Sequence, residues 1–185
     1  MKGKTVKASQ TTITELMIPS FANFGGKVHG GILLSLMDKV AYVTASKHSG
    51  DYCVTVSVDG VEFKEPVEVG DLVSLAASVN YVGNSSMIIG IRVTSLKPKT
   101  GVEKHTNSCY FTMVAKDENG KPTPVPPLIL ENETEVRRFC DAKKLRMLRS
   151  EIKTMLNKEV KDISYEQMLE SIKENRCEVK INNIK

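Results

Sequence analysis

Residues Asn23 to Ala45 read N-F-G-G-K-V-H-G-G-I-L-L-S-L-M-D-K-V-A-Y-V-T-A, and this stretch decides the fold. From Ile32 onward it is almost wholly apolar, yet it carries one carboxylate, Asp38. Its opening glycines and histidine suit a turn and a helix start. It runs on into Lys47-His48-Ser49-Gly50, with cations in the last turn and a glycine just beyond, as a helix C-terminus prefers. The segment is too short and too interrupted to span a bilayer. Apolar on nearly every side, it predicts a core helix.

Asp38 is the informative residue within it. One or two turns away lie Leu34, Ser35, Ala41, Tyr42 and Ala45. A carboxylate in such company is expected to be partly buried, and a buried charge is paired, neutralised or functional. Two readings stay open. Asp38 is either a structural carboxylate bonded to an amide or to Lys39, Lys47 or a partner chain, or a catalytic one. His29-Gly30-Gly31 leads into the helix. Unblocked N–H groups at a helix start suit a carbonyl oxygen or oxyanion, although glycines also permit tight packing. His29 reads as a cap or packing residue.

Outward from the helix the period changes to two. Thr11 to Ile18 is rich in β-branched residues and predicts a strand, with a loop from residue 19 to residue 29. Tyr52 to Phe63 sets Val54, Val56 and Val58 against Cys53, Thr55 and Ser57, with a bulge expected at Asp59-Gly60. Leu72–Tyr81 and Ser86–Leu96 alternate likewise, His105–Ala115 reads as a last long strand, and short turns join them. The pattern predicts an α+β domain, a five-stranded antiparallel sheet wrapped around one helix. Its unpaired edges predict a dimer with a continuous ten-stranded sheet. Pro122, Pro124, Pro126 and Pro127 form an extended run that ends the sheet. Residues 1–127 are therefore read as the main domain and 128–185 as a helical extension. In the extension, Glu133 to about Leu156 is helical, and Ser164 with Gln167 makes a capping box for a second helix. Residues 1–8, polar and basic, are expected to be mobile.

The motif N-x-x-G-x-V-H-G-G-x-x-L-x-x-M-D-x-V-A, followed by V-T-x-x-V-D-x-V-x-F and G-N-S-S-M, resembles the cytosolic acyl-CoA thioesterases of the hotdog fold. These include the bacterial broad-range and brain-type long-chain acyl-CoA hydrolases. The resemblance runs from about Ser9 to Arg146. It implies hydrolysis of acyl-CoA to a free fatty acid and CoA, with no cofactor beyond the CoA of the substrate. It implies Asp38 as the catalytic carboxylate, Asn23 as its polar partner, and Gly30-Gly31 as the element polarising the carbonyl. Two-repeat relatives keep the Asn and the Asp in different repeats. This chain has both, so a homodimer would carry two complete sites, and the relatives suggest three dimers in a hexamer. Along the CoA path the resemblance places His29 and the turn Gly83, Asn84, Ser85 and Ser86; read by itself, that turn is an ordinary hairpin connection. Arg92, Lys64, Lys97 and Lys116 are candidate phosphate partners that the sequence does not separate.

Composition narrows the rest. Four scattered cysteines, with no C-x-x-C pair and no signal peptide, point to a reducing cytoplasm and no structural zinc. The histidines lack metal-ligand spacing, and no run spans a membrane. Residues 1–142 hold 15 basic and 15 acidic side chains, and the +4 surplus falls in 143–185, interleaved with acids. That pattern gives no case for nucleic acid. There is no G-x-S-x-G elbow. The competing readings are a hotdog dehydratase or hydratase, which needs a His paired with an acid, a non-catalytic acyl-CoA-binding regulator, and a purely structural partner protein, which Asp38 disfavours.

Overall fold

The computed structural model describes residues 1–162 and 164–180. They divide into two compact units, residues 1–143 and residues 144 onward. The last five residues of the extension, 181–185, lie outside the described residues.

The first unit is built on one helix and one sheet. The long helix, Gly30–Ser49, starts where the His29 ring accepts a hydrogen bond from the Gly31 N–H and stops at Gly50, whose φ of 86° is left-handed. Five strands follow the order Thr11–Leu16, Leu72–Val82, Ser86–Lys97, Val102–Lys116, Tyr52–Asp59, every neighbouring pair antiparallel. This is the hotdog arrangement. In chain order these strands are β2, β3 (Tyr52–Asp59), β4 (Leu72–Val82), β5 (Ser86–Lys97) and β6 (Val102–Lys116), with β1 at Lys4–Thr5 and β2 at Thr11–Leu16. The long helix is α2; α1 is Val6–Ser9.

The core lies between the sheet and one stripe of α2. Leu33, Leu36, Met37, Val40, Ala41, Thr44, Ala45 and His48 recur at threes and fours and are buried. They meet Val73, Leu75, Ala77 and Val79 of β4, Met87, Ile89, Ile91 and Val93 of β5, and Phe111 and Met113 of β6. Cys53 and Cys109 are small core residues, and burial pushes the Cys109 thiol up to about 12. The core-helix expectation holds for only half the circumference. Leu34, Tyr42 and Val43 are more than a third exposed, and Asp38 lies on that exposed side. The expected partial burial of Asp38 is therefore not met within a single chain.

Two further departures have physical causes. The bulge falls at Thr55/Ser57, not at Asp59-Gly60. It reverses the phase of β3, so Cys53, Thr55 and Val58 stand opposite the buried Ala115, Met113 and Phe111, and Val56 is left 61% exposed. Residues 1–8 were expected to be mobile and are instead placed. β1 pairs in parallel with Leu128–Ile129 (β7), Lys4 N–H donates to the Pro127 carbonyl at 2.9 Å, and Val6 is buried. One apolar residue and one short ladder outweigh the polar composition. Beyond β7, helix α3 runs Glu133–Asp162, and α4, Tyr165–Ile172, begins at the reciprocal Ser164–Gln167 cap. No helix of the described residues is long and apolar enough to cross a membrane.

His48 ties α2 to the proline run. It is fully buried, with Nε2 3.0 Å from the Pro126 carbonyl and Nδ1 without a partner. The Nε2–H therefore donates, and the imidazole is neutral. Burial lowers its pKa below 6.5, the Pro126 bond opposes that shift, and Lys4 adds to it. The unfolded chain takes up this proton first as pH falls. The stabilisation is thus complete above about pH 6.5 and is lost below it, toward the lowered native pKa. Thermal unfolding followed by circular dichroism is expected to show a melting temperature that drops between pH 7 and 5.5. The drop should be shallower in His48→Gln; equal slopes would remove His48 as the cause.

Candidate active site

Asp38 stands on the exposed side of α2 where that helix crosses β3. Thr55 Oγ1 donates to Asp38 Oδ1 at 2.5 Å. Thr55 Oγ1 also lies 3.2 Å from the Met113 sulfur, on the next strand. The pair opens onto a groove of about 630 Å³ walled by Ile13, Tyr42, Tyr52 and Met113. Tyr42 and Tyr52 tilt against each other with ring centres 6.1 Å apart. A carboxylate held by a hydroxyl at the mouth of a largely apolar groove can take a proton from a water while an acyl chain occupies the groove.

Thr55 was not among the residues singled out from sequence. It sat on the polar side of an apparent alternation, and only the bulge turns it toward α2.

The helix start is more selective than the motif suggested. His29 N–H donates to Phe21, Ile32 N–H to the His29 carbonyl, and Gly31 N–H to His29 Nδ1 at 2.8 Å. Gly30 N–H has no hydrogen-bond partner among the described residues. Gly31 serves a different need. A Cβ there would stand 2.9 Å from the His29 ring, so any larger residue displaces the cap. His29 bonds this amide rather than an acid, which gives no footing to the His–acid pair of a dehydratase.

Asn23 does not touch Asp38 within the chain. Its Oδ1 accepts from Gly25 N–H at 2.9 Å and from Lys27 N–H at 3.1 Å, closing the loop ahead of α2. The turn Gly83-Asn84-Ser85-Ser86 uses its carbonyls structurally: Ser86 accepts from Gly83, Ser85 from Ala115, and Asn84 from Val125. Register nevertheless brings it near the groove. Met87, Met113 and Thr55 lie in one row across β5, β6 and β3, so the end of β5 is two strand spacings, about 10 Å, from Thr55. Arg92 is on the opposite face of the sheet, between the core residues Ile91 and Val93, and so cannot serve this groove.

Comparison with known proteins gives the family. The thioesterase superfamily model matches residues 25–102. Protein VdlD of Helicobacter pylori is 49% identical over 146 residues, 79% of this chain and 83% of that one. A crystal structure of an apo-hexameric acyl-CoA thioesterase superposes with a TM-score of 0.79 at 36% identity, covering 82% of this chain and 97% of that one. The chain belongs to the acyl-CoA thioesterases of the hotdog fold. Another thioesterase, the cytosolic acyl coenzyme A thioester hydrolase of Rattus norvegicus, is 35% identical over 75% of this chain, which spans only 37% of that longer enzyme. The acyl-CoA hydrolase of Staphylococcus aureus, solved with butyryl coenzyme A and coenzyme A, has a TM-score of 0.75 at 29% identity, covering 85% of this chain and 95% of that one. Structures of that hydrolase also exist with an asparagine, an aspartate and a threonine each replaced by alanine.

Proposed function

We propose that this thioesterase hydrolyses acyl-CoA to a free fatty acid and CoA, with Asp38 as general base. The observation that carries the reading is the Asp38–Thr55 pair at the mouth of the groove. Thr55 orients the carboxylate and satisfies one of its oxygens. The other oxygen takes a proton from water as the water oxygen bonds to the thioester carbon. Negative charge gathers on the carbonyl oxygen, where Gly30 N–H at the helix start can receive it. The C–S bond then breaks, and the CoA sulfur leaves with the proton that Asp38 held. The asparagine, aspartate and threonine replaced in the S. aureus hydrolase are the residue types that Asn23, Asp38 and Thr55 supply, and this supports the assignment.

Within one chain Asn23 is committed to its own loop and does not reach Asp38. We assign it to the site of a second copy, in a homodimer joined along the edge strand β3. Exposed apolar residues gather there, with Val56 and Tyr52 each 61% exposed and Leu34 on the neighbouring side of α2. Hexameric relatives support three such dimers. CoA would pass His29 and the Gly83–Ser86 turn, with Lys116 nearby, opposite Tyr52 of the groove. The reading places the protein in the cytoplasm.

Release of CoA thiol from acyl-CoAs of graded chain length tests the activity, and light scattering on the same sample tests the assembly. Binding without thiol release would identify a sensor, and an active monomer would remove the shared site. Thr55→Val keeps the shape and deletes the hydroxyl. It is expected to lower kcat by about tenfold with KM little changed, the scale of one charge-assisted hydrogen bond. An unchanged kcat would show that Thr55 does not orient Asp38.

A further inference from the structure

The groove at Asp38 ends at two aromatic rings. Along α2 its lining runs from Asp38 to Val43, and along β3 from Thr55 back to Tyr52. Neither element lines it further. Tyr42 lies one turn beyond Asp38 on the same side of α2, about 6 Å along the helix axis. Tyr52 lies three residues before Thr55, about 10 Å along the strand. Helix and strand therefore each carry one tyrosine at the same end of the groove. There the rings meet, with centres 6.1 Å apart and planes tilted by 58°.

That end is the corner where α2 turns into β3, and the corner is held closed. Gly50 N–H donates to the Ser46 carbonyl at 2.8 Å, and Asp51 N–H donates to Ser49 Oγ at 3.1 Å. Ser49 Oγ also lies 3.3 Å from the sulfur of Cys53, a buried residue of the groove lining. The tyrosines thus stand on two regular elements joined by a fixed two-residue turn, not on a free loop. Neither ring belongs to the core: Tyr42 is 39% exposed and Tyr52 61%. Two large rings set side by side outside the core define the length of the groove rather than the fold.

The two spans give a length scale. A methylene in an extended chain advances about 1.3 Å, from a C–C bond of about 1.5 Å. Spans of about 6 to 10 Å therefore hold about five to eight carbons between the Asp38–Thr55 pair and the rings. A longer chain has to fold back or push a ring aside.

We propose, on the reading that the acyl chain of the substrate occupies this groove, that Tyr42 and Tyr52 determine chain-length specificity. The ring pair stops the chain, so acyl groups of about eight carbons or fewer are preferred. The test is thiol release from butyryl-, hexanoyl-, octanoyl-, dodecanoyl- and hexadecanoyl-CoA by the full-length native protein and its variants. In the native protein kcat/KM for hexadecanoyl-CoA is expected at least about tenfold below that for hexanoyl-CoA, the scale on which a pocket rejects added methylenes. In Tyr42→Ala the ratio of the two should rise at least about tenfold in favour of the long chain. Tyr42→Phe keeps the ring and should keep the native ratio. Tyr52→Ala is expected to shift the profile as Tyr42→Ala does. Because Tyr52 lies on the edge strand assigned to the dimer, light scattering checks its assembly, and Tyr42→Ala decides the matter if Tyr52→Ala dissociates. A native profile that stays level to hexadecanoyl-CoA overturns the proposal. A Tyr42→Ala variant whose rates change equally at every length does so too, because the ring would then only support the structure. Native protein that releases thiol from none of the five would remove the hydrolysis itself, whereas release with an unshifted profile removes only the role of the rings.

Discussion

Asp38→Asn is expected to lower kcat by about 100-fold or more, the scale of losing a general base. The substitution is nearly isosteric. Its side-chain oxygen can still accept from Thr55 Oγ1, which holds Asp38 Oδ1 at 2.5 Å in the native protein. The groove formed by Tyr42, Tyr52 and Met113 is untouched. Only the ability to take a proton from water is lost, so KM should move little while kcat falls. Because the residue is exposed in the single chain, unfolding should change by no more than about 0.5 kcal/mol, as is usual at such sites. Steady-state thiol release together with a chemical denaturation curve separates the two quantities. A folded variant turning over at near-native rate would rule out Asp38 as the base. A large rise in KM with kcat preserved would make it a binding group instead.

The largest loss of stability is expected at the centre of the sheet. Phe111 is 1% exposed and stands opposite Ile89 on β5 and Val58 on β3. Both neighbouring strands therefore lean on one ring. Phe111→Ala removes that ring where the rigid sheet cannot collapse to refill the space, and about 3–5 kcal/mol should be lost. Urea unfolding of native and variant protein, at the same protomer concentration because assembly adds to apparent stability, gives the difference directly. A loss below about 1 kcal/mol would mean that α2 or β3 shifts to fill the cavity.

The two substitutions differ in how far the sequence foreshadowed them. Phe111 belongs to an unbroken alternation from Asn107 to Ala115, and its burial agrees with period two. Asp38 was conspicuous because it interrupts an apolar run, but the run misled about its surroundings. Residues spaced evenly around a helix can all be apolar while only one stripe meets the sheet, and the remainder awaits another surface. Thr55 was harder still. Alternation grouped it with Cys53 and Ser57, and a one-residue bulge in the edge strand put it beside Asp38. Arg92 looked like a phosphate partner for the groove, and its strand position sends it to the other face. Gly30 and Gly31 were equivalent as letters. The His29 cap takes the Gly31 amide and makes them different.

The sequence by itself determined the succession of elements. Strand period, helix period, capping residues and turn residues are set by sterics and hydrogen bonds between near neighbours along the chain, so α2, the five long strands and the Ser164–Gln167 cap could all be read locally. Only the tertiary structure decided which side chains share a space. Strand order, the phase of β3 after its bulge, and the docking of the first turns of α3 through Phe139 and Ala142 depend on partners far apart in the chain. No periodicity records them, because each is chosen by packing between elements rather than within one.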